Sequence, residues 1–412
     1  MTSILSERSR VPDLDILRGF ALLGILIVNA LMMAGPYYAF GGGPHSTTLD
    51  HTVAWLVAAL VATKFYVLFS FLFGYSFVLQ QRSAERAGAS FAPRHLRRTL
   101  GLLGLGALHA VVLYPGDILT AYACLALLLY AMRGLTPRTA IRVAVGLITI
   151  LSALLLARGL LNVAYSAPFT VDEYAPYTAD FVTAHRGDPL SVLAVHLREL
   201  PSHIEANLIY APEYFAAFLA GLAAAKARLV ERRGQDRQWL RRTFLRCLPV
   251  GLAGGVVTAC CGKWPLDYRW FDVGYAAAVL TGPALTASYA CGILLLLSCE
   301  NHKSARRTAT WLAASGRMAL THYLTQSLVL ACVFTGYGLG RYDRLGTATV
   351  VAGCFLLYGV QLALGKRLMG RRRYGPVELL LRTVTLGRRP AISTPAPSPD
   401  RPPASASPPP AR

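Results

Sequence analysis

Residues 273–298 read VGYAAAVLTGPALTASYACGILLLLS, 26 consecutive positions without an Asp, Glu, Lys, Arg or His. At about 1.5 Å per residue, some 18–20 apolar residues in a helix cross the roughly 30 Å hydrocarbon core of a bilayer. The same pattern recurs along the chain. Ten candidate spans cover residues 16–34, 53–80, 99–114, 118–132, 140–160, 208–226, 245–261, 273–298, 310–334 and 347–368. Composition agrees: of 412 residues, 54% are hydrophobic and 15% charged, against about 25% charged in soluble domains. The expected fold is all-α, a polytopic transmembrane helical bundle of about ten spans occupying residues 1–387. Residues 388–412 hold nine prolines among Ser and Ala and are expected to form a disordered cytoplasmic tail.

The net charge of +20 would suggest nucleic acid if the basic residues formed one patch. They lie between the apolar runs instead, which points to lipid headgroups and excludes nucleic acid as the expected partner. Basic residues near span ends stay on the inner side. With the N-terminus inside, only seven of the 41 Lys and Arg fall in outer loops or at outer span ends (Arg158, Arg186, Arg198, Lys263, Arg269, Arg341, Arg344), and three, Arg18, Lys64 and Arg317, are counted as within spans. The remaining 31 lie on the inner side (41 − 7 − 3 = 31). An N-in, C-in multi-pass protein of the bacterial inner membrane is therefore expected. Residues 161–207 form the long external loop in this reading, with Tyr174, Tyr177 and Phe181 ahead of a partly helical stretch at 191–200. The eight cysteines lie in or beside spans without a CxxC pair, and the nine histidines have no ligand-like spacing, so no metal is indicated.

Ionisable groups inside a span are costly and mark functional positions. Arg18 stands about one turn into the first span. Lys64 falls mid-span in the second, and Arg317 about 10 Å into the ninth at 1.5 Å per residue. His109 closes the third span and Asp117 opens the fourth across the tight turn Pro115-Gly116-Asp117. An antiparallel hairpin brings these two together near the outer face, where a carboxylate orients an imidazole for general-base work; a buried histidine beside a helix cap is the structural alternative. Asn29, His322 and Gln326 add hydrogen-bonding groups that bind substrate or join helices. Glu213, after Pro212, is a further candidate cavity carboxylate.

Four segments carry a family resemblance: LDILRGFALLGI at 14–25 leading to Asn29; KFYVLFSFLFG at 64–74; His109-Ala110 followed by GDIL at 116–119; and GRMALTHYLTQS at 316–327 with GPVE at 375–378. Their order and spacing resemble the YeiB-type bacterial membrane proteins, the "domain of unknown function 418" family, from Leu14 to about Gly387. This chain departs from that pattern at His322, where the family commonly has Asn. The opening Arg-Gly-Phe leading to an Asn is similar to that of membrane-embedded acyltransferases of the heparan glucosaminide acetyltransferase type. The resemblance implies transfer of an acyl group from acyl-CoA at the inner face to an outer small-molecule or glycan acceptor carrying a hydroxyl or amine. No permanently bound cofactor is implied. His109 and Asp117 are then the catalytic candidates, and Arg18, Asn29, Lys64, Arg317, His322 and Gln326 the substrate-binding ones. A transporter or exporter using Lys64, Arg317 and His109 as a polar path is the alternative, and a non-catalytic scaffold the third. The chain has no GxxxxGK[ST] run for ATP.

Overall fold

The computed structural model describes residues 12–43, 46–168, 171–297 and 303–387. The expected tail, 388–412, lies outside the described residues, as does Cys299. In chain order the helices are α1 (Pro12–Ala34), α2 (Thr48–Leu60), α3 (Lys64–Arg86), α4 (Phe91–Val112), α5 (Leu119–Ala131), α6 (Pro137–Tyr165), α7 (Val171–Arg186) and α8 (Pro189–Lys226). There follow α9 (Leu229–Arg233), α10 (Arg237–Gly262), α11 (Phe271–Leu297), α12 (Lys303–Arg317), α13 (Ala319–Phe334), α14 (Thr347–Arg371) and α15 (Pro376–Leu386).

Local chemistry fixes several starts. Thr47 and Asp50 form a capping box on α2. The Thr136 hydroxyl and the Asp188 carboxylate accept first-turn N–H groups of α6 and α8, each with proline at the first helical position. Asp236 caps α10 through the Trp239 N–H at 3.0 Å.

Seven helical stretches are long and apolar enough to cross a membrane among the described residues. They match seven of the ten expected spans. The other three differ for identifiable reasons. α4 carries Arg94, His95, Arg97 and Arg98 in its first half. α5 has 13 residues, about 20 Å of helix, which is short of a full crossing. The ninth span is broken at Met318 into α12 and α13, so Arg317 ends one helix instead of sitting inside another. The second span is also interrupted, at 61–63, and Lys64 opens α3. The expected external loop is helical: α7 and the first half of α8 occupy it. At 38 residues, α8 is about 57 Å long, nearly twice the hydrocarbon thickness, and it carries Pro201 and Pro212 within it.

The core lies where α3 crosses α8. A Cβ added at Gly74 would lie 2.0 Å from the Phe218 carbonyl oxygen, and one at Gly221 would lie 2.0 Å from that of Phe71. The two glycines thus let the backbones touch, the small-residue packing that holds helices together in lipid. Leu68, Leu72, Tyr75, Phe77, Phe218 and Leu222 fill the space around this crossing. By contrast, α6 exposes Ile141, Val145, Ile150 and Leu154, a face suited to lipid.

Contacts sort the helix ends into two sets. At one end, Arg82 reaches the Ala225 carbonyl at 3.1 Å, and Lys226 reaches those of Arg133 and Leu135 at 2.6 Å. At the other, the Asp343 N–H donates to the Ala34 carbonyl at 2.6 Å and Arg186 Nε to that of Tyr342 at 2.7 Å.

Candidate functional site

A cavity of about 940 Å³ runs through the bundle between these two ends. Its charge is sharply divided. Six arginines and two carboxylates line it, and all belong to the end that holds the start of α1 and α4, the finish of α3 and α12, and α15. Arg18 is held by Asp15 Oδ1 and Ser76 Oγ, both at 2.5 Å. Arg94 and Arg98 come from the polar first turns of α4, and Arg317 donates to the Arg373 carbonyl at 3.1 Å. Arg382 lies over the Tyr374 ring at 4.9 Å. Such a cluster suits a ligand with several phosphate oxygens, because guanidinium forks match them bidentately.

The opposite half is lined by aromatic and neutral polar groups, among them Tyr66, Tyr114, Tyr210, Tyr275, His203 and Asn207. Behind this wall Glu213 is fully buried, and its Oε2 accepts the Tyr66 hydroxyl at 2.7 Å and the Tyr275 hydroxyl at 3.2 Å.

His109 and Asp117 meet across the α4–α5 turn. His109 Nδ1 lies 2.9 Å from Asp117 Oδ1, with both side chains about 1% exposed. The approach is close but not aligned as a hydrogen bond. Asp117 Oδ2 accepts the Thr120 N–H at 2.7 Å, which fixes the carboxylate at the start of α5. The imidazole packs on Tyr323, centroids 5.1 Å apart, and its Nε2 has no hydrogen-bond partner among the described residues. Tyr114, Gly116, Ile118 and Tyr323 line the cavity, so the pair stands one layer behind its wall.

The other sequence candidates separate. Arg18, Asn29 and Arg317 line the cavity. Lys64, 1% exposed, donates to the Ala58 carbonyl at 3.1 Å across the helix break, with Glu213 as its charged neighbour. His322 and Gln326 face α14 and are not among the lining residues: Gln326 Nε2 donates to Gln361 Oε1 at 2.8 Å, and His322 Nε2 abuts Gly365. Arg94, Arg98, Ser76 and the tyrosine wall escaped sequence reasoning. The arginines were legible only as topology charges, since nothing in their spacing says that one face of α4 looks inward.

Known proteins resemble the chain in two regions. Residues 10–184 match the family model described as "Heparan-alpha-glucosaminide N-acetyltransferase, catalytic", and residues 224–388 match "Protein of unknown function (DUF418)". The chain is 29% identical over 398 residues to the uncharacterized protein YeiB of Escherichia coli (strain K12), covering 93% of this chain and 98% of that one. The chain is thus similar to YeiB along most of its length. It is also 29% identical over 401 residues to the uncharacterized protein YxaH of Bacillus subtilis (strain 168), covering 91% and 94% of the two chains. The acetyltransferase match spans Arg18, Asn29, His109 and Asp117, and the DUF418 match contributes Arg317, Glu378 and Arg382. Both matched regions therefore furnish walls of the same cavity.

Proposed function

We propose that this YeiB-like chain is a multi-pass acyltransferase of the bacterial inner membrane. It takes an acyl group from acyl-CoA at the inner face and passes it to a hydroxyl or amine acceptor entering from the outer half. The observation that carries the reading is one cavity with an arginine-rich end and a buried His–Asp pair beside its neutral half. The match of residues 10–184 to an N-acetyltransferase catalytic region supports the reaction class. With the arginine end inward, the protein is N-in and C-in, as the distribution of basic residues favours.

In this mechanism Arg18, Arg94, Arg98, Arg317 and Arg382 hold the CoA phosphates. The acyl thioester extends along the cavity past Asn29. Once the Tyr114–Tyr323 wall that covers it admits the acceptor, His109 Nε2 takes the proton of the acceptor hydroxyl or amine as its heteroatom attacks the acyl carbon, and Asp117 stabilises the imidazolium. The C–S bond breaks, and the imidazolium returns the proton to the CoA sulfur. The test is turnover of acetyl-CoA by purified protein in nanodiscs with an outer-leaflet extract as acceptor. His109→Ala is expected to bind acetyl-CoA as the parent does and to lose turnover by two orders of magnitude or more, about the general-base contribution. Undiminished turnover in that variant rejects the mechanism.

A further inference from the structure

The middle of α8 has two faces. Ile204 and Leu208 are exposed on one, while His203, Asn207, Tyr210 and Tyr214 line the cavity at the spacing of a single helix face. The outward face is what lipid requires. An imidazole and a carboxamide on the inward one are costly to keep there unless something bonds them.

Backbone carbonyls of the α4–α5 hairpin hold this part of α8 at two points. His196 Nδ1 donates to the Val111 carbonyl at 3.1 Å, and Asn207 Nδ2 to that of Asp117 at 3.1 Å. The second bond occupies one end of the Asn207 amide and thereby orients the other. Its Oδ1 has no hydrogen-bond partner among the described residues and is not sealed within the protein, so it stays open to the cavity that Asn207 lines. Joining two helices explains the amide nitrogen; it does not explain the oxygen. His203 stands one turn earlier, half-buried on the cavity wall, and its ring nitrogens make no hydrogen bond among the described residues. Its ring meets Tyr114 edge-on, centroids 6.1 Å apart. Tyr114 also meets His109 edge-on at 6.4 Å. One tyrosine ring therefore touches both the cavity imidazole and the buried one.

We propose that His203 and Asn207 form the acceptor subsite and select a molecule that carries at least two hydroxyl or amino groups. Asn207 Oδ1 accepts the hydrogen of the reacting hydroxyl or amine beside Asp117, and His203 bonds a second polar group of the same molecule. The assignment rests on the acyltransferase reading and deepens it. Residues one helical turn apart stand about 5–6 Å from each other, farther than a single hydroxyl spans. An acceptor with one polar group therefore leaves His203 or Asn207 unpaired, and a site built for hydrogen bonds discriminates against such a molecule.

Wild type, Asn207→Leu, His203→Phe and His203→Gln in nanodiscs are assayed for acetyl-CoA turnover with 2-amino-1,3-propanediol and with isopropylamine, the same carbon frame without hydroxyls. The wild-type KM is expected to be about tenfold lower for the aminodiol. Asn207→Leu and His203→Phe should each raise that KM about five- to tenfold, the scale of one hydrogen bond, with the KM for acetyl-CoA changed less than about twofold. His203→Gln, which still donates and accepts, should recover most of the loss. Equal KM for the two amines, or an unchanged aminodiol KM in either variant, overturns the subsite. Carbethoxylation of His203 by diethyl pyrocarbonate, read by mass spectrometry, decides without turnover and without variants. The aminodiol is expected to slow it in wild type about tenfold and isopropylamine less than about twofold, again the difference of one hydrogen bond. No turnover with any acceptor, but protection by the aminodiol, means that the acyltransferase reading has failed and a site for polyhydroxylated or amino-hydroxylated ligands stands. Turnover without protection keeps the reaction and rejects the subsite, as does a His203 that the reagent never modifies.

Discussion

Glu378 of α15 caps α13 from outside that helix: its Oε1 accepts the Thr321 N–H at 2.9 Å and its Oε2 the Thr321 hydroxyl at 2.6 Å. The break at Met318 creates the N-terminus being capped, and α12, on the other side of the break, ends in Arg317. One carboxylate therefore fastens the C-terminal helix over the arginine end of the cavity. Glu378→Ala is expected to cost about 1–2 kcal/mol, the value of a lost cap, and to make the chain after Arg373 an early site of limited proteolysis. Glu378→Gln, which can still accept from the Thr321 N–H, should lie between the two. Cleavage rates equal to wild type in both variants would contradict the role.

Asp117 serves two partners, the Thr120 N–H at 2.7 Å and His109 at 2.9 Å, and substitution can separate them. Asparagine caps a helix as well as aspartate does, yet it cannot stabilise an imidazolium. Asp117→Asn is expected to leave thermal unfolding nearly unchanged while acetyl-CoA turnover falls by about two to four orders of magnitude. A variant that melts early and loses activity in proportion would make the aspartate merely structural.

Composition and apolar run length made the helical membrane architecture legible, because they measure directly what lipid requires. The two helix breaks were not legible. Ala62-Thr63 and Arg317-Met318 contain none of the residues that interrupt a helix by themselves, and tertiary packing imposes both bends. Lys64 and Arg317 were therefore read as mid-span charges when each sits at a helix terminus beside unwound backbone. The meeting of His109 and Asp117 was readable because only six residues separate the end of α4 from the start of α5, with Pro115-Gly116 at the turn. Which face of α4 turns its arginines inward, and that His322 looks towards α14, depend on helix rotation, and a nearly uniform apolar sequence does not encode that locally.

Gly74 and Gly221 are each other's clearance at the α3–α8 crossing, where an added Cβ would meet backbone oxygen at 2.0 Å on either side. Backbone cannot swing aside as a side chain does. Gly74→Ala and Gly221→Ala are each expected to separate the helices and lower the melting temperature in detergent by several degrees. The double variant should fall short of the sum, because the first separation already makes room for the second methyl. Full additivity would show that the two contacts are independent.

Lys263, just past the end of α10, donates to the Tyr38 carbonyl and holds its ammonium 4.4 Å from the centre of that ring. Burial lowers its pKa from 10.5 to about 7. The folded protein consequently binds fewer protons than the unfolded chain between about pH 7 and 10.5, so this residue makes stability rise with pH across that window. Below about pH 7 the amine is charged in both states and the full penalty applies. Lys263→Met is expected to flatten the rise in melting temperature from pH 7 to 9 and to gain most at pH 6. A parallel profile for variant and parent would assign the slope to other groups.

Arg98 lines the arginine end from α4, with Arg18, Glu378 and Arg382 as its charged neighbours. If this end only binds the phosphates of the donor, its contribution is the same in ground and transition states, and its loss appears in KM alone. Arg98→Gln is expected to raise KM for acetyl-CoA about tenfold, near the 1.4 kcal/mol that a charge-assisted hydrogen bond commonly contributes, with kcat within about twofold. The parent's KM should also climb with salt, and the variant's should climb less steeply, since one cation fewer is left to screen. A fall in kcat at unchanged KM would instead move Arg98 towards the reacting atoms, and an unchanged KM and salt slope would take the phosphates away from this mouth altogether.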